Sequence, residues 1–215
     1  MVETEQTRII IDAGPDFRTQ MLQQPFRKID ALLVTHSHYD HVGGMDDLRP
    51  YCQFGEINVY ADPIATEGLR QMMPYCFADN RYPGVPAIQL HTISSGQRLT
   101  FGDIDVLPIR VMHGKLPILG FRIGDMAYIT DIKTLPENQL PLLQGLRLLV
   151  LGALRYKPDH HSHQLVDDAI ALSDRLGKPQ TLLTHMCHDV GLHSKVNSML
   201  PDNVRLAYDG QTVEL

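Results

Sequence analysis

Residues 36–41 have the sequence His36-Ser37-His38-Tyr39-Asp40-His41 and follow the apolar segment Ala31-Leu32-Leu33-Val34. That segment is too short for a helix and continuous enough for a buried strand. In an extended chain residues two apart project to the same side, so His36 and His38 can bind one ion. A turn after them, which Gly43-Gly44 permits, would direct Asp40 and His41 to a neighbouring position. Imidazole and carboxylate ligands without a thiolate suit Zn²⁺, Mn²⁺, Fe or Ni, and they do not choose among these metals.

Other predicted strands end in the same way as the one before His36. Ile129-Thr130-Asp131 and Leu183-Thr184-His185 repeat the pattern of Val34-Thr35-His36, and a further strand reaches Met112-His113. In layered α/β folds, functional side chains gather at the carboxyl ends of strands. The sequence therefore predicts that these strand ends contribute His, His, Asp and His to one metal site.

The remaining sequence alternates short apolar strands with helical patterns, which predicts a mixed α/β fold. We expect an antiparallel meander in the middle third, because four strand segments follow one another closely there. A helix is predicted from about His163 to Leu176, and a short helix and a hairpin are predicted at the C-terminus. The middle segments are Ile88–Ile93, Ile104–Met112, Ile118–Ile123 and Ala127–Thr130.

The composition is that of an ordinary globular protein, with 215 residues, 43% hydrophobic and 20% charged. We expect one domain over residues 1–215, since no linker interrupts the chain. No segment has the length of a membrane helix, and the acidic N-terminus does not resemble a signal peptide, so a cytoplasmic location is expected. Three scattered cysteines predict no disulfide framework. The net charge of −6 disfavours broad binding to nucleic acid or to an anionic membrane.

The order of these motifs resembles the metallo-β-lactamase superfamily over nearly the whole chain. The resemblance implies a four-layered αβ/βα sandwich with two divalent metal ions, Zn or Mn, with Fe or Ni as alternatives. It assigns one ion to His36, His38 and His113 and the other to Asp40, His41 and His185, with Asp131 shared by both. The lactamases of the superfamily commonly have cysteine at the position of Asp131, so β-lactam hydrolysis is disfavoured.

Further motifs are similar to the branch that contains ribonuclease Z and the phosphoribosyl cyclic phosphate phosphodiesterase. They are Asp12-Ala13-Gly14, His113-Gly114-Lys115-Leu116 and Leu183-Thr184-His185-Met186-Cys187-His188. This branch also has a histidine before the penultimate helix, and His163 matches it, with His160 and His161 as competitors. The resemblance implies that Asp40 and His163 are catalytic. A protonated His163 would stabilise a phosphoryl oxygen or give a proton to the departing alkoxide.

The reaction expected from this resemblance is hydrolysis of a small, cyclic phosphodiester. Two ions about 3.5–4 Å apart lower the pKa of a shared water and so supply a hydroxide nucleophile near neutral pH. Lys115 and Arg155 are candidate phosphate contacts. No Lys/Arg cluster or basic arm for transfer RNA is evident, which makes nucleic acid an unexpected partner. The alternatives are glyoxalase-type thioester hydrolysis, a tRNA-processing endonuclease, an iron redox enzyme and a non-catalytic binding module.

The start of the chain departs from the family pattern. Relatives have another strand and a glycine-rich loop before the strand that matches Arg8–Ile11, and the cyclic phosphodiesterase has a cysteine cluster there for a structural zinc. Because this sequence contains no Cys-x-Cys-x-x-Cys, we expect no structural zinc, and His188 is expected to bond locally or to face the active site. The strand Arg8–Ile11 should be an unpaired edge, mobile or paired in a homodimer, unless the natural chain is longer.

Overall fold

Short apolar segments form the strands of the first half of the chain, as the sequence predicts. The computed structural model describes residues 1–215, which divide into unit 1, Met1–Asp105, and unit 2, Val106–Leu215. The single domain over residues 1–215 stays a prediction. In unit 1 the strands are β1 (Val2–Glu3), β2 (Arg8–Ile11), β3 (Ala31–Leu33), β4 (Ile57–Ala61), β5 (Ile88–Thr92) and β6 (Leu99–Phe101), and the helices are α1 (Phe17–Met21), α2 (Tyr39–Val42), α3 (Pro63–Met72) and α4 (Pro74–Phe77), with a 3₁₀ segment at Met45–Phe54.

The sheet of unit 1 has the strand order β1-β2-β3-β4-β5. Strands β2 to β5 are parallel to their neighbours, so their carboxyl ends share one edge of the sheet. The segment before His36 is β3, and all its residues are buried. The parallel sheet therefore places residues 36–41 at that edge, where binding residues of such sheets collect.

The strand Arg8–Ile11 is not the unpaired edge expected from the sequence. Val2 pairs with Ile9 and Glu3 with Arg8 in an antiparallel ladder, which covers the side of β2 away from β3. The expectation was wrong because two residues suffice to form β1, too few to give a periodic pattern. The pairing of β1 with β2 also removes the structural reason for β2 to pair across a homodimer. A homodimer stays an untested prediction.

Arg8 ties β1 to β2 through a buried ion pair. Its side chain has 0% exposure, and its Nε lies 2.8 Å from Glu3 Oε2, while Nη1 donates to the Pro25 carbonyl at 2.7 Å. Glu3→Gln should lower the free energy of unfolding by about 1–3 kcal/mol. This is less than the ~3–5 kcal/mol for breaking a fully buried pair, because the Glu3 side chain is 37% exposed. Urea unfolding measures the loss, and Glu5→Gln, at an exposed neighbour, should change little; equal midpoints for the two variants would contradict the assigned role.

The strands of unit 2 are β7 (Ile104–His113), β8 (Leu116–Ile123), β9 (Met126–Ile129), β10 (Leu148–Gly152), β11 (Gln180–Thr184) and β12 (Val204–Leu206). The helices are α5 (Val166–Arg175) and α6 (His193–Asn197), with 3₁₀ segments at Glu137–Leu143 and His188–Val190. The strands lie in the order β12-β11-β10-β9-β8-β7, from one side to the other. The central strand β10 is parallel to both of its neighbours, whereas β7, β8 and β9 form an antiparallel meander.

None of the helices combines the length and the apolar character needed to span a membrane.

Three details of the predicted elements were wrong. The first strand of the expected meander, β5, pairs in parallel with β4 in the sheet of unit 1. The C-terminal hairpin is absent, since β12 pairs in parallel with β11 after a crossover through α6. The helix expected from His163 begins at Val166, because Leu165 is its N-cap and donates its N–H to Asp168 Oδ2 at 3.0 Å. His163 is therefore a loop residue, three positions before the helix.

Candidate functional site

The ligand candidates of unit 1 form two adjacent pairs. His36 Nε2 lies 3.0 Å from His38 Nδ1, close to the ~3.3 Å that separates two nitrogens on a tetrahedral ion with bonds of about 2.0–2.1 Å. Asp40 Oδ2 lies 3.4 Å from His41 Nε2. His36 and His41 are buried, whereas the Asp40 side chain is 59% exposed. The extended chain at His38 and the turn into α2 thus produce the two pairs expected from the sequence.

Asp12 orients two histidines of unit 1, His36 and His41, so that each can bind a metal ion. Its Oδ2 accepts from His41 Nδ1 and from Thr35 Oγ1, both at 2.8 Å, and Thr35 Oγ1 lies 3.0 Å from His36 Nδ1. Because Nδ1 of His36 and of His41 carries the proton in these contacts, each ring presents its Nε2 lone pair. Carboxylates commonly orient metal-binding histidines in this way. Sequence reasoning did not identify Asp12 as a site residue, although it noticed the Asp12-Ala13-Gly14 motif.

Close backbone contacts hold the Asp12 segment against the ligand segment. A Cβ at Gly14 would collide with the backbone oxygen of Asp40, and a Cβ at Gly44 would collide with the backbone oxygen of Gly14. Ala13 N donates to the His41 carbonyl at 2.7 Å. Glycine at these two positions therefore permits the approach that brings Asp12 to His41.

We expect Asp12→Asn to weaken metal binding by about 10- to 100-fold, the usual cost of losing such an outer partner. The amide would direct an N–H group at His41 Nδ1, which favours the proton on Nε2 and removes the ligand lone pair. Asparagine also tolerates the positive φ of 58° at this position. Titration with zinc against a competing chelator measures the affinity. The matched control is Asp16→Asn at an exposed carboxylate whose side chain does not cap α1; a similar loss in both variants would contradict this role for Asp12.

Asp131 is the centre of the ligand candidates in unit 2. Its Oδ1 lies 3.1 Å from His185 Nε2, and its Oδ2 lies 3.8 Å from His113 Nε2. The His113 ring donates from Nδ1 to the Ser162 carbonyl at 2.9 Å, so its Nε2 also presents a lone pair. The two oxygens of one buried carboxylate thus face two different histidines. This is the arrangement that a shared ligand needs, and the structure brings these three residues together within unit 2.

The backbone at these positions is strained. Asp12, Asp131 and His185 follow strands and have φ between 50° and 58°. Apart from the glycines, Lys178 is the one other residue with a positive φ. Left-handed backbone costs about 1–3 kcal/mol at most side chains and collects at functional sites. Asp and His tolerate it better than most residues, so the ligand types and the strand-end turns fit one another.

His163 lies beside the ligand candidates of unit 2. Its Nδ1 is 3.9 Å from Asp131 Oδ2, and its ring stacks on that of His185 with centroids 5.1 Å apart and an interplanar angle of 19°. Burial lowers the pKa of His163 to about 4, and the nearby Asp131 carboxylate only partly opposes this. The protonated form considered from the sequence is therefore not the form at neutral pH. A neutral imidazole keeps one N–H to donate and one lone pair.

The competitors of His163 have other surroundings. His160 Nδ1 accepts from the Ser162 N–H at 3.3 Å and so supports the loop whose carbonyl orients His113. His161 is exposed and its ring contacts only that of His160 among the rings of this loop. His163 alone of the three lies within 4 Å of Asp131.

The remaining candidates of unit 2 differ in exposure, and the Arg155 side chain is only 18% exposed. Lys115 is exposed in the turn after Gly114, which packs against the His161–Ser162 backbone. The Arg155 guanidinium donates to the Pro158 carbonyl at 3.0 Å and lies 3.3 Å from Asp189, so it has structural partners. Their contacts with phosphate stay predictions. His188 is exposed and lies 3.3 Å from its neighbour Asp189, a local contact of the kind expected for it.

The chain is similar to several known proteins. A solved diphosphatase from the PhnP family superposes with a TM-score of 0.88 and 32% identity, over 97% of this chain and 80% of that chain. An octanoyltransferase of Porphyromonas gingivalis is 41% identical over 203 residues, which are 94% of this chain and 41% of that protein. A ribonuclease Z of Bradyrhizobium is 28% identical over 127 residues, or 56% of this chain and 42% of that protein. The chain thus spans less than half of the length of these two curated relatives.

The model of the beta-lactamase superfamily domain matches residues 7–186, the region that includes every ligand candidate. The two sheets and their helices have the fold of that superfamily, as expected from the sequence. The superfamily fold implies divalent metal ions, and the histidine and aspartate candidates of both units are of the residue types that can hold them. The chain belongs to the metallo-β-lactamase superfamily and is similar to a PhnP-family diphosphatase and to ribonuclease Z.

Proposed function

We propose that the protein is a phosphodiesterase that hydrolyses a small, cyclic phosphodiester. The observation that carries this proposal is the position of His163, next to the Asp131 carboxylate and stacked on His185. The sequence resemblance implies such a histidine in the phosphodiesterase branch, and the glyoxalase-type thioester hydrolases have no equivalent of it.

The ligand scheme is the one that the family implies. His36, His38 and His113 would hold one divalent ion, Asp40, His41 and His185 the other, and Asp131 would be shared. The donor sets within each unit fit this scheme, since Asp131 faces His113 and His185 with different oxygens. When bound, such ions activate water and neutralise the non-bridging oxygens of a phosphodiester. Zn and Mn are the metals that we expect.

The protein side chains then have separate tasks. The exposed carboxylate of Asp40 can accept a hydrogen bond from water and orient it. The neutral imidazole of His163 can donate its N–H to a phosphoryl oxygen or to the departing oxygen. Such positioning hydrogen bonds stabilise charge that develops in the transition state.

The comparisons support phosphorus chemistry and leave the size of the substrate open. The PhnP-family diphosphatase and ribonuclease Z both act on phosphorus compounds, by their names. We propose a small substrate because the net charge is −6 and no cluster of Lys and Arg forms a track for a polynucleotide. Endonuclease activity on transfer RNA is the corresponding alternative.

Thioester hydrolysis is the second candidate. The octanoyltransferase of Porphyromonas gingivalis, 41% identical over 94% of this chain, has a name that refers to acyl transfer. Acyl-group hydrolysis would use the same metal ligands without a need for His163. An iron-dependent redox reaction has no observation in its favour.

Parallel assays separate these candidates. Metal-loaded protein is incubated with a cyclic ribose phosphate, bis(p-nitrophenyl) phosphate, a nucleoside diphosphate, a glutathione thioester, an octanoyl thioester and a transfer RNA precursor. We expect turnover of the cyclic phosphodiester. Turnover of a thioester with no turnover of any phosphorus compound would show that the proposal is wrong.

A further inference from the structure

A groove of about 450 Å³ lies in unit 1, away from the metal-ligand residues of that unit. Its walls come from the end of α3, from α4 with the loop that follows it, and from the first residues of β5. Because β3, β4 and β5 are parallel, the start of β5 lies at the sheet edge opposite to the one that carries His36. The two edges are separated by the length of a five-residue strand, ~16 Å.

Two arginines line this groove and form no ion pair with a carboxylate of the chain. Arg70 and Arg81 are exposed, and neither guanidinium forms a hydrogen bond or an ion pair within the chain. By contrast, Arg49 near the same region is paired with Asp46. The Arg70 guanidinium lies over the Phe77 ring, 5.4 Å from its centroid, which restricts its position through a cation–π contact. An acidic chain thus has, at one concave surface, two guanidinium groups that form no ion pair with another residue.

The other polar groups of the groove are suited to hydroxyl groups. Asp79 offers a carboxylate and Gln89 an amide, and both side chains are exposed at the groove. The volume falls in the usual range of small-molecule pockets, about 300–1,000 Å³, and exceeds what one phosphate group fills. Guanidinium groups match the geometry of phosphate oxygens and can bind them in pairs.

We propose that this groove is a second binding site, for a small phosphate ester that carries hydroxyl groups. Arg70 and Arg81 bind the phosphate, and Asp79 and Gln89 bind the hydroxyls. Phe77 holds Arg70 in place, and the buried Cys76 and Ile88 form the apolar base of the groove. The site needs no metal and does not depend on the proposed function.

Calorimetric titration of the full chain with glucose 6-phosphate tests this proposal, with glucose and inorganic phosphate as separate probes. We expect glucose 6-phosphate to bind more tightly than either probe, since only it engages both halves of the groove. Arg70→Gln and Arg81→Gln should each weaken binding on the order of 10- to 100-fold, the range for losing a hydrogen bond to a charged group. Arg18→Gln, at another exposed arginine of unit 1, is the matched control and should leave binding unchanged.

Two results would show that the ligand does not bind in this groove and would overturn the proposal. One is equal affinity of wild type and both groove variants, which would place the ligand elsewhere. The other is loss of binding on treatment with a chelator, with the groove variants unaffected, which would assign the ligand to the metal ligands. Binding of inorganic phosphate as tight as that of glucose 6-phosphate would remove the assigned role of Asp79 and Gln89. Circular dichroism of each variant, expected to match wild type, verifies that the exposed substitutions leave the fold intact.

Discussion

Replacing His163 with alanine is expected to lower phosphodiester turnover by about 10²–10⁴-fold, while the metal content stays unchanged. His163 Nδ1 is 3.9 Å from Asp131 Oδ2, beside the ligands and outside their assigned set. Its removal therefore deletes a hydrogen-bonding group from the reaction without deleting a ligand. Steady-state kinetics on a cyclic phosphodiester gives the first quantity, and elemental analysis of dialysed protein gives the second.

The matched control is His161→Ala, which removes an exposed imidazole from the same loop. This variant should keep the turnover of the wild type. A His163→Ala enzyme with unchanged turnover would show that the residue only packs against His185. Loss of metal in that variant would show instead that His163 belongs to the ligands, and the two outcomes are distinguished by the elemental analysis.

Three of the ligand candidates could be found from the sequence because each follows a strand that is apolar and short. His36, Asp131 and His185 come after a threonine at such a strand end, and the structure places all three on the turns that follow β3, β9 and β11. Within each sheet the carboxyl ends of neighbouring parallel strands lie on one edge, so a polar residue after such a strand is a candidate for a site there. Within residues 36–41, the spacing of the side chains was also enough to predict that His36 pairs with His38 and Asp40 with His41.

The groups that orient the ligand candidates were harder to predict from the sequence. Asp12 acts on His41 across 29 positions, and its effect depends on a left-handed backbone and on two close glycine contacts. Ser162 orients His113 through its backbone carbonyl, which every residue type has. The Asp12-Ala13-Gly14 motif marks the segment without revealing its contact with His41, and a backbone carbonyl leaves no signal in the sequence. A strand of two residues, such as β1, is likewise too short to leave a periodic signal.

The predicted boundary of a helix was wrong where tertiary contacts decide its position. The helical pattern of residues 163–176 predicts a start three positions before the first residue of α5. The helix begins later because His163 and Gln164 are held by other contacts. Gln164 N donates to the Ile132 carbonyl at 2.7 Å, and its side chain donates to the Gly152 carbonyl at 2.7 Å. These bonds anchor the loop beside β10 and hold His163 near Asp131. The displacement of the helix start is thus the feature that makes His163 available to the site.

Asp131→Asn is expected to abolish stable metal binding and, with it, hydrolysis. The carboxylate presents one oxygen to His185 and the other to His113, and an amide can replace only one of them as a ligand. The loss should exceed the about 10- to 100-fold effect of removing an outer partner such as Asp12, because the shared ligand itself is changed. Asparagine tolerates the left-handed backbone at this position, where φ is 50°, so the fold should persist. Elemental analysis after dialysis measures the metal retained per chain, and thermal unfolding verifies the fold. Asp125→Asn, at an exposed carboxylate of the same unit, should retain the metal content of the wild type. An Asp131→Asn protein that retains two ions per chain would contradict the assignment of Asp131 as the shared ligand.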